Sequence, residues 1–170
     1  MEHKPCNLIK NNIIPKEELN RIFTNSQSAN AEIDSTFLCF DDEYEFVLEH
    51  TNPSDIIIDF GCAYNAQCWY FKNYQRYIAV DLPMFDDVRF DSGNVEFFIM
   101  SIQKFIKEEL PKLHLDLNNV VAVCNAVPDE EAQKLVEKTF PRHFVAYPGQ
   151  ETKSTIGKYV RKIKPEDIYR

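Results

Sequence analysis

Two carboxylates and one glycine follow apolar runs in a spacing that favours ligand binding. Asp59 and Gly61 come at the end of a β-branched run that begins at Ile56, and Asp81 ends a second apolar run that begins at Tyr77. A carboxylate at the end of a strand can accept hydrogen bonds from two adjacent hydroxyl groups of a ligand. A glycine at the turn lets the backbone approach that ligand closely. We therefore expect a binding site that includes Gly61 and Asp81.

Two neighbouring strands are needed to bring these residues together. Short apolar runs rich in β-branched residues are typical of buried parallel strands that helices cover on both faces. The interval from Gly61 to Asp81 has room for a tight turn, one helix and a returning strand, which is a βαβ unit. Ligands of such sheets bind at the carboxyl ends of the strands, where Gly61 and Asp81 would both lie.

The alternation of strand and helix continues to about residue 147. Apolar runs predict further strands at 94–102, 119–124 and 143–147, and helices are predicted at 41–48, 66–74, 102–110 and 132–140. Pro111 is expected to end the third of these helices. The pattern predicts an α/β fold with a doubly wound, mostly parallel sheet and helices on both faces.

The first strand and its loop resemble those of the class I S-adenosylmethionine (SAM)-dependent methyltransferases. The first motif of that family is an apolar strand, then Asp or Glu, an apolar residue and G-x-G-x-G. The resemblance covers about residues 42–147, and the second and third glycines fall on Ala63 and Asn65. It implies that Asp59 orders the loop near the methionine end of SAM. It also implies that Gly61 allows close approach and that Asp81 accepts hydrogen bonds from the ribose hydroxyls.

Two further positions complete the cofactor site that this resemblance implies. Ala63 adds a methyl group where the ligand would pass, and alanine disfavours positive φ. The segment 94–102 resembles the third motif of the family, in which an acid contacts the adenine amino group; Ser101 occupies that place. The cofactor is predicted to be SAM, and the residues expected to bind it are Asp59, Gly61, Ala63, Asp81 and Ser101.

The candidate for catalysis is Asn125, after the fourth predicted strand. Amino-directed methyltransferases carry N-P-P-Y or D-P-P-Y there, and Asn125 matches the first position. Ala126 and Val127 do not match, and Pro128 comes one residue late. The alternative is a strand end whose asparagine bonds to nearby backbone. The histidines show no spacing typical of a metal site or a catalytic triad, so we predict no metal.

The chain is interpreted as a single methyltransferase-like domain over residues 1–170, with residues 1–40 as an N-terminal extension or lid. Segment 31–40 is the lid candidate, and core packing is its alternative. The family adds a C-terminal antiparallel hairpin, whereas this chain is short there. The segment 158–163 is predicted to supply one edge strand, guarded by its lysines.

Composition limits the classes of partner. The formal net charge is −8, which disfavours nucleic acid and favours a small molecule or a protein as methyl acceptor. No apolar run approaches the length of a membrane span, and no secretory signal is visible. The five cysteines, an odd number without C-x-x-C pairs, indicate reduced thiols and a cytoplasmic location. The sequence does not indicate the oligomeric state.

Two functions remain open from the residues. The first is a SAM-dependent methyltransferase with an unidentified acceptor. The second is a catalytically inactive methyltransferase-like scaffold that acts as a protein-interaction module, which Ala63, Asn65 and Ser101 favour. A dinucleotide oxidoreductase is disfavoured, because the loop holds one glycine instead of G-x-G-x-x-G.

Overall fold

Six strands form one sheet in the order β3-β2-β1-β4-β5-β6. The computed structural model describes residues 6–25, 40–83 and 88–160. The strands are β1 (Ile56–Phe60), β2 (Arg76–Asp81), β3 (Val95–Ile99), β4 (Val120–Asn125), β5 (His143–Ala146) and β6 (Lys153–Ser154). β1 to β5 are parallel, and β6 is antiparallel to β5. The predicted α/β fold with a mostly parallel sheet is confirmed, and it is Rossmann-like.

Both faces of the sheet are covered, which explains the continuous apolar runs of its central strands. Every residue of β1 and β4 is buried. Alternate side chains point to opposite faces of the sheet. Ile57 and Val121 therefore enter one core, called the first core below, and Ile58 and Ala122 enter the second core. The strand order reverses between β1 and β4, which is the topological switch point where open α/β sheets bind ligands.

Helices form the outer layers. The α-helices are α1 (Asn7–Lys10), α2 (Lys16–Asn25), α3 (Asp41–Glu49), α4 (Ile102–Lys104), α5 (Leu110–Leu113) and α6 (Glu130–Thr139). The first three supply buried residues to one core, and the last three supply buried residues to the other. α3 confirms the helix predicted before β1, and its acidic first turn complements the helix dipole.

The connection from β1 to β2 differs from the α-helix predicted at 66–74. It is a 3₁₀ helix, Ala66–Phe71, that follows Asn65 in the left-handed conformation. A 3₁₀ helix rises about 2.0 Å per residue against 1.5 Å for an α-helix, so a short connection covers more of the strand length. Phe71 and Tyr74 are buried in the same core as Ile57 and Val121.

The helix after β3 does not end at Pro111, contrary to the prediction. Between α4 and α5 lies a π-helical segment, Phe105–Glu109, in which the Leu110 amide donates to the Phe105 carbonyl. Pro111 has no N–H to donate, so it fits the first turn of α5 without an unpaired donor. The helix continues to Leu113 and ends at His114, which has φ +51°.

The edge strand is Lys153–Ser154, so its predicted position at 158–163 is wrong for the described residues 158–160, which are not strand; 161–163 lie outside the described ranges. The Thr155 hydroxyl accepts from the His143 amide at 2.8 Å, which fixes the short strand against β5. Beyond it, the Tyr159 hydroxyl donates to Asp42 at 2.8 Å and its ring contacts Phe144. These contacts direct the chain over α3.

The described part of the N-terminal extension packs into the core. Leu8, Ile14 and Ile22 are buried in the first core, and the Asn7 amide donates to the Asp41 carboxylate at 2.9 Å. The lid candidate 31–40 lies outside the described residues except for position 40. No helix in the described ranges is long and apolar enough to cross a membrane.

The cysteines depart from the expectation of reduced thiols in one place. Cys62, Cys68 and Cys124 are free and buried, in keeping with small apolar side chains. Cys6, however, is disulfide-bonded. The cysteine pattern therefore gives no support to a cytoplasmic location.

An ion pair at the amino ends of β1 and β5 should stabilise the sheet. Arg142 donates to both oxygens of Asp55 at 2.8 and 3.2 Å, and Asp55 is 7% exposed. We expect Arg142→Met to lower the free energy of unfolding by about 2 kcal/mol, since it leaves a nearly buried carboxylate without its guanidinium. Urea denaturation measures this value.

The control is Arg76→Met, which breaks the more exposed pair of Arg76 with Glu96. Its expected cost is at most about 1 kcal/mol. Equal costs for the two variants would contradict the view that burial decides the effect.

Candidate functional site

In the loop after β1, every second residue has a left-handed backbone conformation. Gly61, Ala63 and Asn65 have φ of +78°, +51° and +66°. The Gly61 amide donates to the Val80 carbonyl at 2.8 Å, which ties the start of the loop to β2. Ala63 therefore adopts the backbone conformation that its glycine counterpart would favour, at a cost that alanine normally avoids.

Asp81 ends β2 beside this loop. Its Oδ2 accepts from the Ala63 amide and its Oδ1 accepts from the Leu82 amide, both at 2.8 Å. A carboxylate offers about four acceptor positions, so two backbone donors leave positions for a ligand hydroxyl pair. The structure thus brings Gly61, Ala63 and Asp81 together at the carboxyl ends of β1 and β2.

Asp59 lies in the interior, beneath the loop that follows β1. It is fully buried and accepts from the Tyr44 hydroxyl at 2.9 Å, from Gln67 Nε2 at 2.7 Å and from the Tyr77 hydroxyl. Gln67 Nε2 also donates to the Cys62 carbonyl at 2.9 Å. Asp59 therefore contacts the loop through Gln67, and its carboxylate is used by protein donors.

Burial dominates the electrostatics of Asp59. It raises the pKa of this carboxyl to about 6, although hydrogen bonds from Tyr77, Gln67 and Tyr44 act in the opposite direction. The negative charge of Asp81 adds to the increase. An acid whose pKa is higher in the folded state stabilises the fold when it is protonated.

A pH dependence of stability follows from this shift. The contribution of Asp59 should be fully present below about pH 4 and should be lost as the pH rises through about 6, by about 3 kcal/mol in total. Asp59→Asn carries no charge at any pH. We expect wild type to gain stability relative to this variant between about pH 7 and pH 4, in urea denaturation at each pH.

Asp55 provides the contrast. Burial acts to raise the pKa of Asp55, but hydrogen bonds from Arg142 and the Asn52 amide hold it below its usual value. Wild type should therefore lose stability relative to Asp55→Asn as the pH falls. A difference between wild type and Asp59→Asn that does not vary with pH would refute the assignment for Asp59.

The side chain of Ser101 is occupied in capping a helix. It is the N-cap residue of α4, and its hydroxyl accepts from the Lys104 amide at 3.1 Å. A serine immediately before an apolar helical pattern is a sequence signal for such a cap. The chain reaches Ser101 from β3, where the Met100 amide donates to the Asp81 carbonyl at 2.8 Å.

Asn125 ends β4, across the switch point from Asp81. It is 4% exposed, and its Nδ2 is buried without a hydrogen-bond partner among the described residues. The expected alternative, a bond to local backbone, is therefore not made by Nδ2. A buried amide without a partner is costly and is a donor for a bound group.

Val127 is a neighbour of the site that sequence reasoning missed. A Cβ atom built on Gly61 would lie 2.5 Å from Val127 Cγ2. The preceding residue, Ala126, has φ +59°, and the side chain of Gln133 on α6 donates to the Val127 carbonyl. Val127 thus packs on the carboxyl end of β1 and is held there from both sides.

Arg89 is a second residue that was missed. It is 5% exposed, and it donates to the carbonyls of Ala63 at 3.1 Å and Leu82 at 3.0 Å. Next to it, Phe90 accepts from Asn65 Nδ2 at 3.1 Å. These bonds fasten the loop after β1 to the end of β2. No motif marks Arg89, because its role depends on tertiary contacts.

An apolar surface adjoins Asp81. Leu82 follows Asp81 and is 51% exposed, and Ile99, which pairs with Asp81 in register, is 37% exposed. A cavity of about 490 Å³ lies beside β3; Phe97 and Ile99 line it together with Gly93 and four charged residues, Glu18, Arg21, Arg89 and Asp91. In the described ranges, no group of acids, histidines and cysteines is arranged to hold a metal.

Comparison with known proteins adds little to this geometry. No family model and no curated protein matches the chain. Among solved structures, HcgC from Methanococcus maripaludis, cocrystallized with SAH and pyridinol, is similar at 15% identity with a TM-score of 0.35. The match covers 84% of this chain and 60% of HcgC, so the chain spans less than two thirds of that protein. A likeness at this level carries no argument about the site.

Proposed function

We propose that this chain binds SAM at the carboxyl ends of β1 and β2 and transfers its methyl group to an acceptor. The observation that carries the proposal is Asp81, half-buried at the end of β2 beside the left-handed loop. Its carboxylate keeps acceptor positions for two adjacent hydroxyls, which is what a ribose presents.

The surroundings of Asp81 support one direction for the proposed ligand. With the ribose hydroxyls on Asp81, the apolar surface of Leu82 and Ile99 suits the planar adenine. Because the strand order is β3-β2-β1-β4, the remainder of the ligand then extends towards β1 and β4. The loop from Gly61 to Asn65 lies on that path.

The protein has two tasks in this reaction, to bind the cofactor and to align the acceptor. SAM itself supplies a methyl group on a positively charged sulfur, so alignment is the main requirement. Asn125, with its buried Nδ2 donor, is our candidate for holding the acceptor on the β4 side of the switch point. The acceptor is proposed to be a small molecule or a protein, and the location to be cytoplasmic.

The direct test is calorimetric titration of the purified protein with SAM and with S-adenosylhomocysteine (SAH), its demethylated product. Saturable binding in the micromolar range is expected for both. Absence of heat, together with no shift of the melting temperature at millimolar ligand, would reject cofactor binding and with it the enzyme.

The second candidate is a catalytically inactive scaffold that binds proteins. Three observations favour it, because each occupies with protein contacts a residue that a cofactor would need. Val127 packs on Gly61, Ser101 caps a helix, and Asp59 accepts its hydrogen bonds from protein side chains. The same titration separates the candidates, because the scaffold requires no cofactor.

A further inference from the structure

Asp81 and Arg89 are joined through the same two residues. The Asp81 carboxylate accepts from the amides of Ala63 and Leu82, each at 2.8 Å. Arg89 donates to the carbonyls of those two residues, through Nε to Ala63 at 3.1 Å and through Nη2 to Leu82 at 3.0 Å. The four residues therefore form a closed ring of hydrogen bonds, in which an anion holds the two amides and a cation holds the two carbonyls.

Ala63 is the member of this ring that most needs support. Its φ of +51° lies in the left-handed region that alanine disfavours. The bond from Arg89 holds its carbonyl, and the bond to Asp81 holds its amide. Without Arg89, a return of Ala63 to negative φ becomes favourable, and this change turns its amide away from the carboxylate. Arg89 thus acts on Asp81 through Ala63.

Arg89 is itself placed by the chain around it. The amide of the next residue, Phe90, donates to the Tyr64 carbonyl at 2.8 Å, and the Phe90 carbonyl accepts from Asn65 Nδ2 at 3.1 Å. The Arg89 carbonyl accepts from Arg21 of α2 at 2.6 Å. Arg89 is 5% exposed, and a buried guanidinium is costly without hydrogen-bond partners. Its side chain therefore has little freedom to leave the two carbonyls.

A ligand with two adjacent hydroxyls depends on this geometry. Both hydroxyls can donate well only if the two carboxylate oxygens are held in position, since hydrogen bonds weaken steeply when they are misaligned. In the ring, each oxygen of Asp81 accepts one backbone amide, which fixes the plane of the carboxylate. A group that is fixed before binding loses less freedom on binding, so the affinity is higher.

We propose that Arg89 is a positioning residue for the ribose of the ligand. It holds Ala63 and Leu82 so that the Asp81 carboxylate is aligned for a pair of adjacent hydroxyls. The inference rests on the proposed function, since it assumes that the ribose binds Asp81. Because Arg89 acts through Asp81, it contributes to the affinity only for ligands that carry both hydroxyls.

The test compares adenosine with 2′,3′-dideoxyadenosine, which lacks both hydroxyls, as competitors of SAH in calorimetric titrations. Wild type should bind adenosine at least about tenfold more tightly than the dideoxy compound. Arg89→Met should reduce this ratio to less than about threefold and should bind the dideoxy compound as wild type does. The control is Arg76→Met, which removes an arginine at the start of β2, the end opposite Asp81, and should keep the wild-type ratio.

Arg89→Lys provides a second variant that keeps the charge. Lysine has one donor nitrogen, whereas Arg89 uses two nitrogens of a planar group for the two carbonyls. Its ratio should lie between those of wild type and Arg89→Met. If thermal unfolding shows that Arg89→Met does not fold, Arg89→Lys decides, and a wild-type ratio in that variant overturns the role.

The outcomes separate this inference from the function on which it rests. An equal loss of affinity for both nucleosides in Arg89→Met would mean that Arg89 supports the loop in general, and an unchanged ratio would mean that it does not act on Asp81. If SAH binds wild type but adenosine is not preferred over the dideoxy compound, the positioning role is wrong while cofactor binding stands. If SAH does not bind wild type, the proposed function fails and this inference fails with it.

Discussion

Asp81→Asn is expected to weaken the binding of SAH and of adenosine by about 10- to 100-fold. Hydrogen bonds to a charged group contribute about 1.5–3 kcal/mol, and the amide offers one acceptor oxygen instead of two. In the wild type both carboxylate oxygens already accept from backbone, from Ala63 and from Leu82. The asparagine oxygen cannot serve both amides and a ligand diol, so the loop and the ligand compete for it.

The control for this variant is Glu49→Gln at the exposed end of α3. It removes the same unit of charge at a residue outside the site. Calorimetry should give the wild-type affinity for Glu49→Gln, so that a loss in Asp81→Asn is assigned to contact and not to net charge. Unchanged affinity in Asp81→Asn would show that the ribose does not bind there.

Gly61→Ala should lower the free energy of unfolding by about 2–5 kcal/mol. Part of the cost is the left-handed backbone, at about 1–2 kcal/mol for a residue with a Cβ. The remainder is overpacking, because the new methyl group would lie 2.5 Å from Val127 Cγ2. Denaturant unfolding measures the sum.

Two comparisons divide this cost into its parts. Gly93 has φ +97°, and no atom lies within 4 Å of a Cβ added there. Gly93→Ala should therefore show the backbone cost without a clash. Adding Val127→Ala to Gly61→Ala removes the clashing methyl groups and should recover about 1–3 kcal/mol as a coupling energy. Strict additivity of the two substitutions would contradict the packing of Val127 on Gly61.

The fold was largely predictable because buried parallel strands leave a strong signal. The runs at Ile56–Phe60 and Val120–Asn125 are apolar throughout, and burial on both faces requires this. Boundaries were less certain where chain geometry overrides local preference. Residues 66–74 were predicted to form the α-helix between β1 and β2, yet Ala66–Phe71 is a 3₁₀ helix. Pro111 marks a helix end by rule but occupies the first turn of α5.

Within the candidate site, only the positions of the residues that end strands could be predicted from the sequence. Asp81 and Gly61 follow from their place after apolar runs. The roles of Arg89, Gln67 and Val127 could not be predicted, because each depends on a partner that is distant in sequence. Asp59 was predicted to order the loop; its odd position in the strand directs it, with Ile57, into the first core, where it contacts the loop through Gln67. Ser101 was predicted as a cofactor contact from a family motif, and its local pattern also indicates the helix cap that the structure shows.

The central position of β1 has a consequence for newly synthesised chains. β1 pairs with β2, which follows it closely, and with β4, which begins only at Val120. While the ribosome is still making the second half of the chain, one edge of the Ile56–Phe60 run has no partner. An unpaired apolar strand edge pairs readily with other chains. The unpaired edge of β1 is therefore an aggregation hazard during synthesis, and this edge closes only when β4 has emerged and paired with it.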